Sequence, residues 1–228
     1  MSTQTQTKNR QIDTKKLVLA ALFSALAYLV SLVFRIPFVP AVSFLKYDAK
    51  DVIIALEGFI LGPWYSVATS VIVSLIEMVT VSSTGIIGAV MNVLSTLSFV
   101  VPATVIYKYN RKVSGAVMGL AVGVLAMTGC MLLWNYFITP LYMGVSREAV
   151  AALLLPAFFP FNFIKGLINA CLTFILYKPI MTALRHAKVL PASSGSAPKK
   201  GTAVAINIAM VAVLACALGI AIWLSTRG

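Results

Sequence analysis

Long apolar stretches alternate with short polar segments along almost the whole chain. The stretches cover residues 17–34, 48–61, 64–81, 86–106, 113–138, 153–177 and 203–224. Most of them approach or exceed the roughly 20 residues with which an α-helix crosses a bilayer. Because lipid offers no partner to unpaired backbone groups, each stretch is predicted to be a helix. The pattern therefore predicts an all-α membrane protein.

The second stretch differs from the others because it is short and carries charge. A helix over residues 48–61 would be only about 21 Å long, whereas the hydrocarbon core is about 30 Å thick. We expect its neighbours to shelter it. Asp48 is predicted to cap this helix, and Asp51 to lie in its first turn, where the helix dipole favours negative charge.

Composition supports the membrane assignment. The chain has 228 residues, of which 60% are hydrophobic and 11% are charged, and its mean hydropathy is +0.96. A soluble domain carries about 25% charged residues. Residues 17–34 follow a basic N-terminus, as in a signal peptide, but Arg35 and Pro37 come next instead of a small-residue cleavage site. The first stretch is therefore interpreted as a retained span.

The formal charge of +12 is explained by the placement of the basic residues. With a cytoplasmic N-terminus, the inner segments hold Lys8, Arg10, Lys15, Lys16, Lys108, Arg111, Lys112, Lys178, Arg185, Lys188, Lys199 and Lys200. The outer segments hold Arg35, Lys46, Lys50, Arg147 and Arg227. This is the positive-inside distribution. It predicts a multi-pass protein of the bacterial cell membrane. Because topology explains the basic charge, we do not expect nucleic-acid binding.

Residues 191–202 are rich in Pro, Ser and Gly, which predicts a flexible linker. The linker divides the chain into a six-span domain over residues 1–190 and a further transmembrane helix with a short tail over residues 203–228. This last span carries no charge between 203 and 224. It is interpreted as an appendage outside any binding site.

Signatures of catalysis or metal binding are missing from the sequence. There is no HExxH, GxSxG, CxxC or phosphate-binding loop. The one histidine, His186, lies in a basic tail, and Cys130, Cys171 and Cys216 lie in apolar stretches without paired spacing. We therefore predict no catalytic residue, no metal site and no cofactor. If ATP drives transport, the ATPase is another subunit.

Small residues repeat along two predicted helices. Gly115, Gly119 and Gly123 recur every fourth residue, and Ala21 and Ala25 have the same spacing. Such faces allow helix backbones to approach closely. For the glycines we expect packing within the protein. For the alanines, packing and docking to a partner are both retained.

Five polar residues fall inside the spans: Glu77, Asn92, Asn135, Asn162 and Lys165. A charge at the bilayer centre costs about 2.5–3.5 kcal/mol on insertion scales, so the two charged residues need compensation. Glu77 and Lys165 either pair with each other or line a wet or ligand-filled cavity. Asn162 and Lys165 are three residues apart and share one helical face.

The polar residues cluster near the outer ends of their spans, beside aromatic residues. Asparagine offers donor and acceptor edges, and aromatic rings offer stacking surfaces. The set suits a neutral, flat solute that forms hydrogen bonds. The loop over residues 35–47 is apolar and contains two prolines. It either closes on such a ligand or packs at the membrane interface.

Several stretches resemble the riboflavin-specific S components of energy-coupling factor (ECF) transporters. They are residues 45–52 (LKYDAKDV), 61–63 (LGP), 135–137 (NYF) with 140–142 (PLY), and 160–166 (PFNFIKG). The resemblance extends over about residues 15–185 and implies a six-helix S-component bundle. The predicted seventh span is extra to that pattern. Glu77 stands where a neutral or basic residue is expected.

The resemblance also implies a function and roles for particular residues. The protein would capture riboflavin from outside, beneath the first outer loop, and deliver it through a transmembrane coupling subunit and two ATPases. Asn135, Asn162 and Lys165 would contact the flavin, together with Leu45 and Asn92. Ala21 and Ala25 would face the coupling subunit. Riboflavin is then the transported ligand and not a cofactor.

Two alternatives accompany this hypothesis. The same fold can take another vitamin or a flavin nucleotide, and the unusual Glu77 motivates that alternative. An intramembrane enzyme using Glu77 and Lys165 belongs to a different class. The absence of an accompanying nucleophile or metal set in the sequence argues against it.

Overall fold

The computed structural model describes residues 14–39, 42, 44–82, 84–188 and 200–226. The helices are α1 Thr14–Val33, α2 Lys50–Leu61, α3 Pro63–Thr80, α4 Gly85–Tyr109, α5 Val113–Met143, α6 Arg147–Leu153, α7 Phe159–His186 and α8 Lys200–Thr226. A π-helical segment, Leu154–Phe158, joins α6 to α7. Two short strands, β1 Ile36–Pro37 and β2 Lys46–Tyr47, lie between α1 and α2.

The predicted all-α membrane fold is confirmed. Six helices of the described chain are long and apolar enough to cross a membrane, and one of them runs without a break for 40 residues over Arg147–His186. This helix begins earlier than the stretch at 153–177 that the sequence pattern predicts. A chain with six such helices crosses the membrane several times.

Helix α2 is the exception, and the expectation that its neighbours shelter it is confirmed. It has only 12 residues, and all but the last two are buried. It packs against α1, α3, α4 and α7. Gly62 follows it with a φ of 111°, a conformation that favours glycine, and Pro63 then begins α3. This tight turn keeps α2 in the middle of the bundle.

The predicted close packing of the glycine face is also confirmed. A Cβ atom on Gly119 would lie 2.6 Å from the carbonyl oxygen of Ala103, and one on Gly123 would lie 2.5 Å from that of Phe99. Both distances are too short for any side chain. The glycines therefore allow α5 to approach the backbone of α4.

The loop between α1 and α2 folds back onto the bundle as a small hairpin. Strands β1 and β2 pair antiparallel, with Ile36 opposite Tyr47. Phe38, Val42 and Leu45 are buried in a cluster that includes Phe158 and Ile164, among others. The hairpin therefore covers one end of the bundle.

Helix α8 packs on the outside of α7. Of its described side chains only Ala217 and Ala221 are buried, and both belong to the hydrophobic cluster beneath the hairpin. Its remaining surface is largely apolar and exposed, as expected for contact with lipid. Most of the predicted linker, residues 191–199, lies outside the described residues. The N-terminal segment 1–13 does so as well.

Candidate ligand-binding site

A cavity of about 130 Å³ opens at the end of the bundle where the hairpin lies. The hairpin, the α3–α4 turn and helices α4, α5 and α7 surround it. The residues that line it are Arg35, Phe44, Leu45, Lys46, Asp48, Val81, Ser82, Thr84, Ile87, Gly88, Met91, Asn92, Ser95, Met131, Tyr142, Phe161, Asn162 and Lys165. Four of the predicted site residues are therefore brought together: Leu45, Asn92, Asn162 and Lys165.

Lys165 lies at the buried wall of this cavity and pairs with two carboxylates. Its Nζ is 3.3 Å from Asp51 Oδ2 and 3.6 Å from Asp48 Oδ2. The suggested pairing of Lys165 with Glu77 is therefore wrong. The predicted N-cap position of Asp48 is wrong, because Ala49 occupies the N-cap of α2. Asp48 is drawn instead towards the ammonium group of Lys165.

Asp51 lies in the first turn of α2, as predicted, and is fully buried. Besides the ammonium group of Lys165, it accepts hydrogen bonds from Thr96 Oγ1 at 2.6 Å and from Asn169 Nδ2 at 3.2 Å. A carboxylate that receives three donors satisfies most of its hydrogen-bonding capacity. Asp51 thus fixes the position of Lys165 from below the cavity.

Tyr47 extends the same network into the hairpin. Its hydroxyl donates to Asn169 Oδ1 over 3.0 Å. Burial, followed by the nearby charge of Asp48, raises the pKa of Tyr47 above its ordinary value. The phenol is therefore a neutral donor, and it ties the end of β2 to α7.

Glu77 is compensated by a different set of residues. Its carboxylate binds the ammonium group of Lys50, and both side chains are 1% exposed. The guanidinium group of Arg35 lies 3.7 Å from the other carboxylate oxygen. Asn92 Nδ2 donates to Glu77 Oε2 over 3.3 Å. Glu77 thus contacts Asn92 and Arg35, and both of these residues line the cavity.

Six charged groups at or next to the site form ion pairs and balance one another. Asp48, Asp51 and Glu77 each contact at least one of the cations Arg35, Lys50 and Lys165. Burying an unpaired charge is expensive, which explains why the six groups occur together. These six groups bring no net charge to the site, and Lys46 is a further cation in the cavity lining.

The two cavity asparagines have their orientations set by the protein. Asn162 Nδ2 donates to the carbonyl oxygen of Phe158 over 2.8 Å, and Asn92 Nδ2 donates to Glu77. A carbonyl and a carboxylate can only accept, so the amide nitrogens must face them. Each asparagine therefore keeps its carbonyl oxygen Oδ1 as an acceptor for a ligand.

Aromatic side chains form part of the cavity wall. The ring of Phe44 in the hairpin lies 5.5 Å from that of Tyr142 in an edge-to-face arrangement. Phe161 lines the cavity from α7 and stacks on Phe38 of the hairpin, with 5.0 Å between ring centroids. These rings offer the flat apolar surface that an aromatic ligand needs.

Asn135, the fifth predicted ligand residue, lies apart from the cavity lining. It is fully buried, donates from Nδ2 to the carbonyl oxygen of Met131 over 2.6 Å, and accepts from Thr139 over 2.8 Å. Its side chain is thus engaged with its own helix α5. Ala21 and Ala25 lie on the exposed face of α1.

Three contributors to the site were not singled out from the sequence: Lys50, Thr96 and Asn169. Lys50 was visible as one of the charges in the weak second span. Thr96 and Asn169 could not be recognised from the sequence, because a Thr or Asn inside an apolar helix does not show which carboxylate it donates a hydrogen bond to. Only the packing of α2 between α4 and α7 brings them to Asp51.

A helical bundle that spans the membrane, with a polar cavity under a hairpin at one end, is the architecture of a membrane-embedded solute-binding subunit. The family model "ECF transporter, substrate-specific component" matches residues 15–177. The chain belongs to this family, whose members are transporter components and not enzymes. The resemblance noted in the sequence is therefore confirmed at the level of the family.

Individual relatives are similar over most of the chain. The riboflavin transporter RibU of Staphylococcus aureus is 29% identical over 76% of this chain and 94% of its own length. The riboflavin transporter FmnP of Bacillus subtilis is 29% identical over 78% of this chain and 100% of its own length. A solved S component of a bacterial ECF transporter superposes with a TM-score of 0.65 at 27% identity, over 76% of this chain and 99% of that one.

Proposed function

We propose that the protein binds riboflavin in the cavity under the hairpin and is the riboflavin-specific subunit of an ECF importer. The arrangement of Asn92, Asn162 and Lys165 around an aromatic wall carries this proposal. Family membership and the names of the two riboflavin transporters quoted above support it.

The chemistry of riboflavin complements the cavity. Its flat ring carries an imide N–H between two carbonyl groups, and its ribityl chain carries hydroxyl groups. The Oδ1 atoms of Asn92 and Asn162 are oriented to accept from such donors. The ammonium group of Lys165 can donate to a ring carbonyl, and Phe161 and Tyr142 supply surfaces for the ring.

The size of the cavity indicates how a ligand gains access. Its volume of about 130 Å³ is smaller than the roughly 300–1,000 Å³ of typical small-molecule sites. The hairpin residues Phe44, Leu45 and Lys46 form one wall. The other walls belong to the membrane-spanning helices and the α3–α4 turn, so the hairpin is the wall that can move without separating helices. We expect riboflavin to enter by displacing it.

Topology and partners follow from the same proposal. A cytoplasmic N-terminus places the cavity on the outer side, where the vitamin is captured. The exposed Ala21 and Ala25 of α1 would dock on the transmembrane coupling subunit, and two ATPases would complete the importer. Residues 1–190 would form the binding domain, and residues 203–228 an additional membrane anchor. The contact of Asn135 with the flavin stays a prediction.

A flavin nucleotide is the alternative ligand, and one observation favours it. Lys46 lines the cavity mouth beside Arg35, and no carboxylate of the described chain pairs with Lys46. A terminal phosphate would find positive charge there. Competition of riboflavin by the nucleotide distinguishes the two ligands.

Binding to the isolated protein tests the proposal. Protein purified in detergent should show flavin absorbance or quench the fluorescence of added riboflavin with a one-to-one endpoint. Asn162→Leu should weaken binding at least about tenfold, because a buried hydrogen bond to the ligand is lost. Gly129→Leu is the matched control, because a Cβ at this position meets open space. Absence of binding at millimolar riboflavin would refute the proposal.

A further inference from the structure

A second cavity of about 140 Å³ lies at the opposite end of the bundle. The α2–α3 turn and the end of α4 form it. Lys108 and Arg111 line it together with the aromatic residues Trp64, Tyr65 and Tyr107. We call it the basic pocket. The riboflavin proposal makes no use of it.

The positive charge at the basic pocket is not neutralised within the described chain. The ion pairs of the described residues involve Arg35, Lys50 and Lys165 at the other end, apart from Lys16 in α1, which has an interaction of its own. Lys108 and Arg111 are exposed and have no carboxylate partner among the described residues.

Arg185 adds a third cation from the end of α7. Both Arg111 and Arg185 lie near enough to Tyr107 for their charges to act on its hydroxyl group. The Nε of Arg185 is buried and has no hydrogen-bond partner. A buried donor without an acceptor is costly, so Arg185 has a donor still available for an anion.

The other walls indicate what kind of anion fits. Phe59 and Leu61 give the pocket an apolar side, and Trp64 at its rim is 79% exposed. Tyr109, which follows Lys108 at the end of α4, is 84% exposed. Exposed Trp and Tyr at helix ends are typical of the membrane–water interface. A ligand with an anionic head and an apolar body matches both sides of the pocket.

We propose that the basic pocket binds the phosphate of an anionic phospholipid headgroup, with Lys108 and Arg111 as the direct ligands and Arg185 in support. Basic pockets between transmembrane helices bind such headgroups in other membrane proteins. The glycerol and upper acyl chains would lie against Phe59 and Leu61. The basic pocket would bind a lipid of the bilayer, and it is separate from the cavity proposed for the transported vitamin.

The test uses the full chain in nanodiscs of phosphatidylcholine, with or without phosphatidylglycerol. Thermal unfolding of the wild type should shift upward when phosphatidylglycerol is present, because a ligand that binds only the folded state stabilises it. Lys108→Gln with Arg111→Gln should weaken the lipid effect at least about tenfold in a lipid titration. Riboflavin binding, at the other end, should be unchanged and serves as the check on folding.

A matched pair of substitutions separates a site from general surface charge. Lys112→Gln with Lys178→Gln removes the same charge from the same end, and neither residue lines the pocket. This pair should keep the lipid effect. Equal loss in both pairs would overturn the proposal. So would an equal shift from inorganic phosphate in phosphatidylcholine alone, which would identify a soluble anion as the ligand.

A milder substitution keeps the test decisive if the double variant does not fold. Arg111→Lys retains the charge and should retain lipid binding, whereas Lys108→Gln alone should weaken it. The reverse order, or no difference between these two single variants, would also overturn the proposal.

Discussion

The carboxylate of Glu77 in α3 binds the ammonium group of Lys50 in α2, and both side chains are 1% exposed. Glu77→Gln would leave Lys50 buried without its counter-charge, which costs about 3–5 kcal/mol in comparable pairs. We expect a large drop in the unfolding temperature of this variant. Adding Lys50→Met to Glu77→Gln should recover most of the loss. Glu148→Gln, at an exposed position, is the control and should change little.

The same substitution should change ligand selectivity. Arg35 lines the cavity and lies 3.7 Å from Glu77, so removing the carboxylate leaves more positive charge at the cavity. The ratio of flavin mononucleotide to riboflavin affinity should therefore rise in Glu77→Gln. Fluorescence competition measures this ratio. An unchanged ratio would show that Glu77 does not govern the choice between the two ligands.

Lys165→Met should affect both binding and stability. Replacement removes a donor from the cavity and leaves Asp48 and Asp51 without their shared cation. We expect riboflavin binding to weaken by roughly 1–3 kcal/mol, together with a lower unfolding temperature. The double variant with Asp51→Asn should regain stability and still bind weakly. Recovery of binding in the double variant would contradict a direct contact between Lys165 and the flavin.

Glu57 gives a contrast to Glu77 within the same protein. It is fully buried in α2, Thr69 donates to its Oε1 over 3.0 Å, and its Oε2 has no partner. No cation of the described chain pairs with it. Burial without a counter-charge favours the neutral acid. Glu57→Gln should therefore change the free energy of unfolding by less than about 1 kcal/mol, far less than Glu77→Gln.

Infrared spectroscopy provides an independent measurement of that protonation state. The protein at neutral pH should show the carbonyl stretch of a protonated carboxylic acid. Glu57→Gln should abolish this band, and Glu148→Gln should leave it intact. If the band is missing from the wild type, Glu57 is ionised and the prediction is wrong.

The exposed alanines of α1 should matter for transport and not for binding. Ala21→Trp places a large ring on the face proposed to meet the coupling subunit, so uptake by cells should fall while purified protein still binds riboflavin. Leu26→Trp is the control. It is 45% exposed on the same helix but lies about 140° around the axis from Ala21. Normal uptake by the Ala21 variant would remove the docking assignment.

The sequence predicts the fold well because the membrane imposes simple rules. Each long apolar stretch becomes a helix, and the glycine repeat brings α5 against α4 as expected. The charged α2 is short and buried, also as expected. No comparable sequence pattern predicted the hairpin between α1 and α2, which consists of two residue pairs in the described part of the loop.

The site was only partly predictable. Asn162 and Lys165 stand out because polar groups are expensive in an apolar span, and the structure places both at the cavity. The partners of the charges could not be read from spacing. Lys165 and Glu77 were natural candidates for one pair, but α2 lies between them in the bundle and supplies Asp51 to the first and Lys50 to the second.

The π-helical segment Leu154–Phe158 determines how α6 is rotated relative to α7 within the continuous helix Arg147–His186. Its hydrogen bonds reach one residue further than those of an α-helix, as in the bond from the Phe159 amide to the Leu154 carbonyl. The segment accommodates one additional residue, which rotates α6 relative to α7 by about 100°. Deleting one residue here should turn Val150 out of its buried position. The segment thus offsets the buried side of α6, which carries Val150, from the buried side of α7, which carries Asn162 and Lys165.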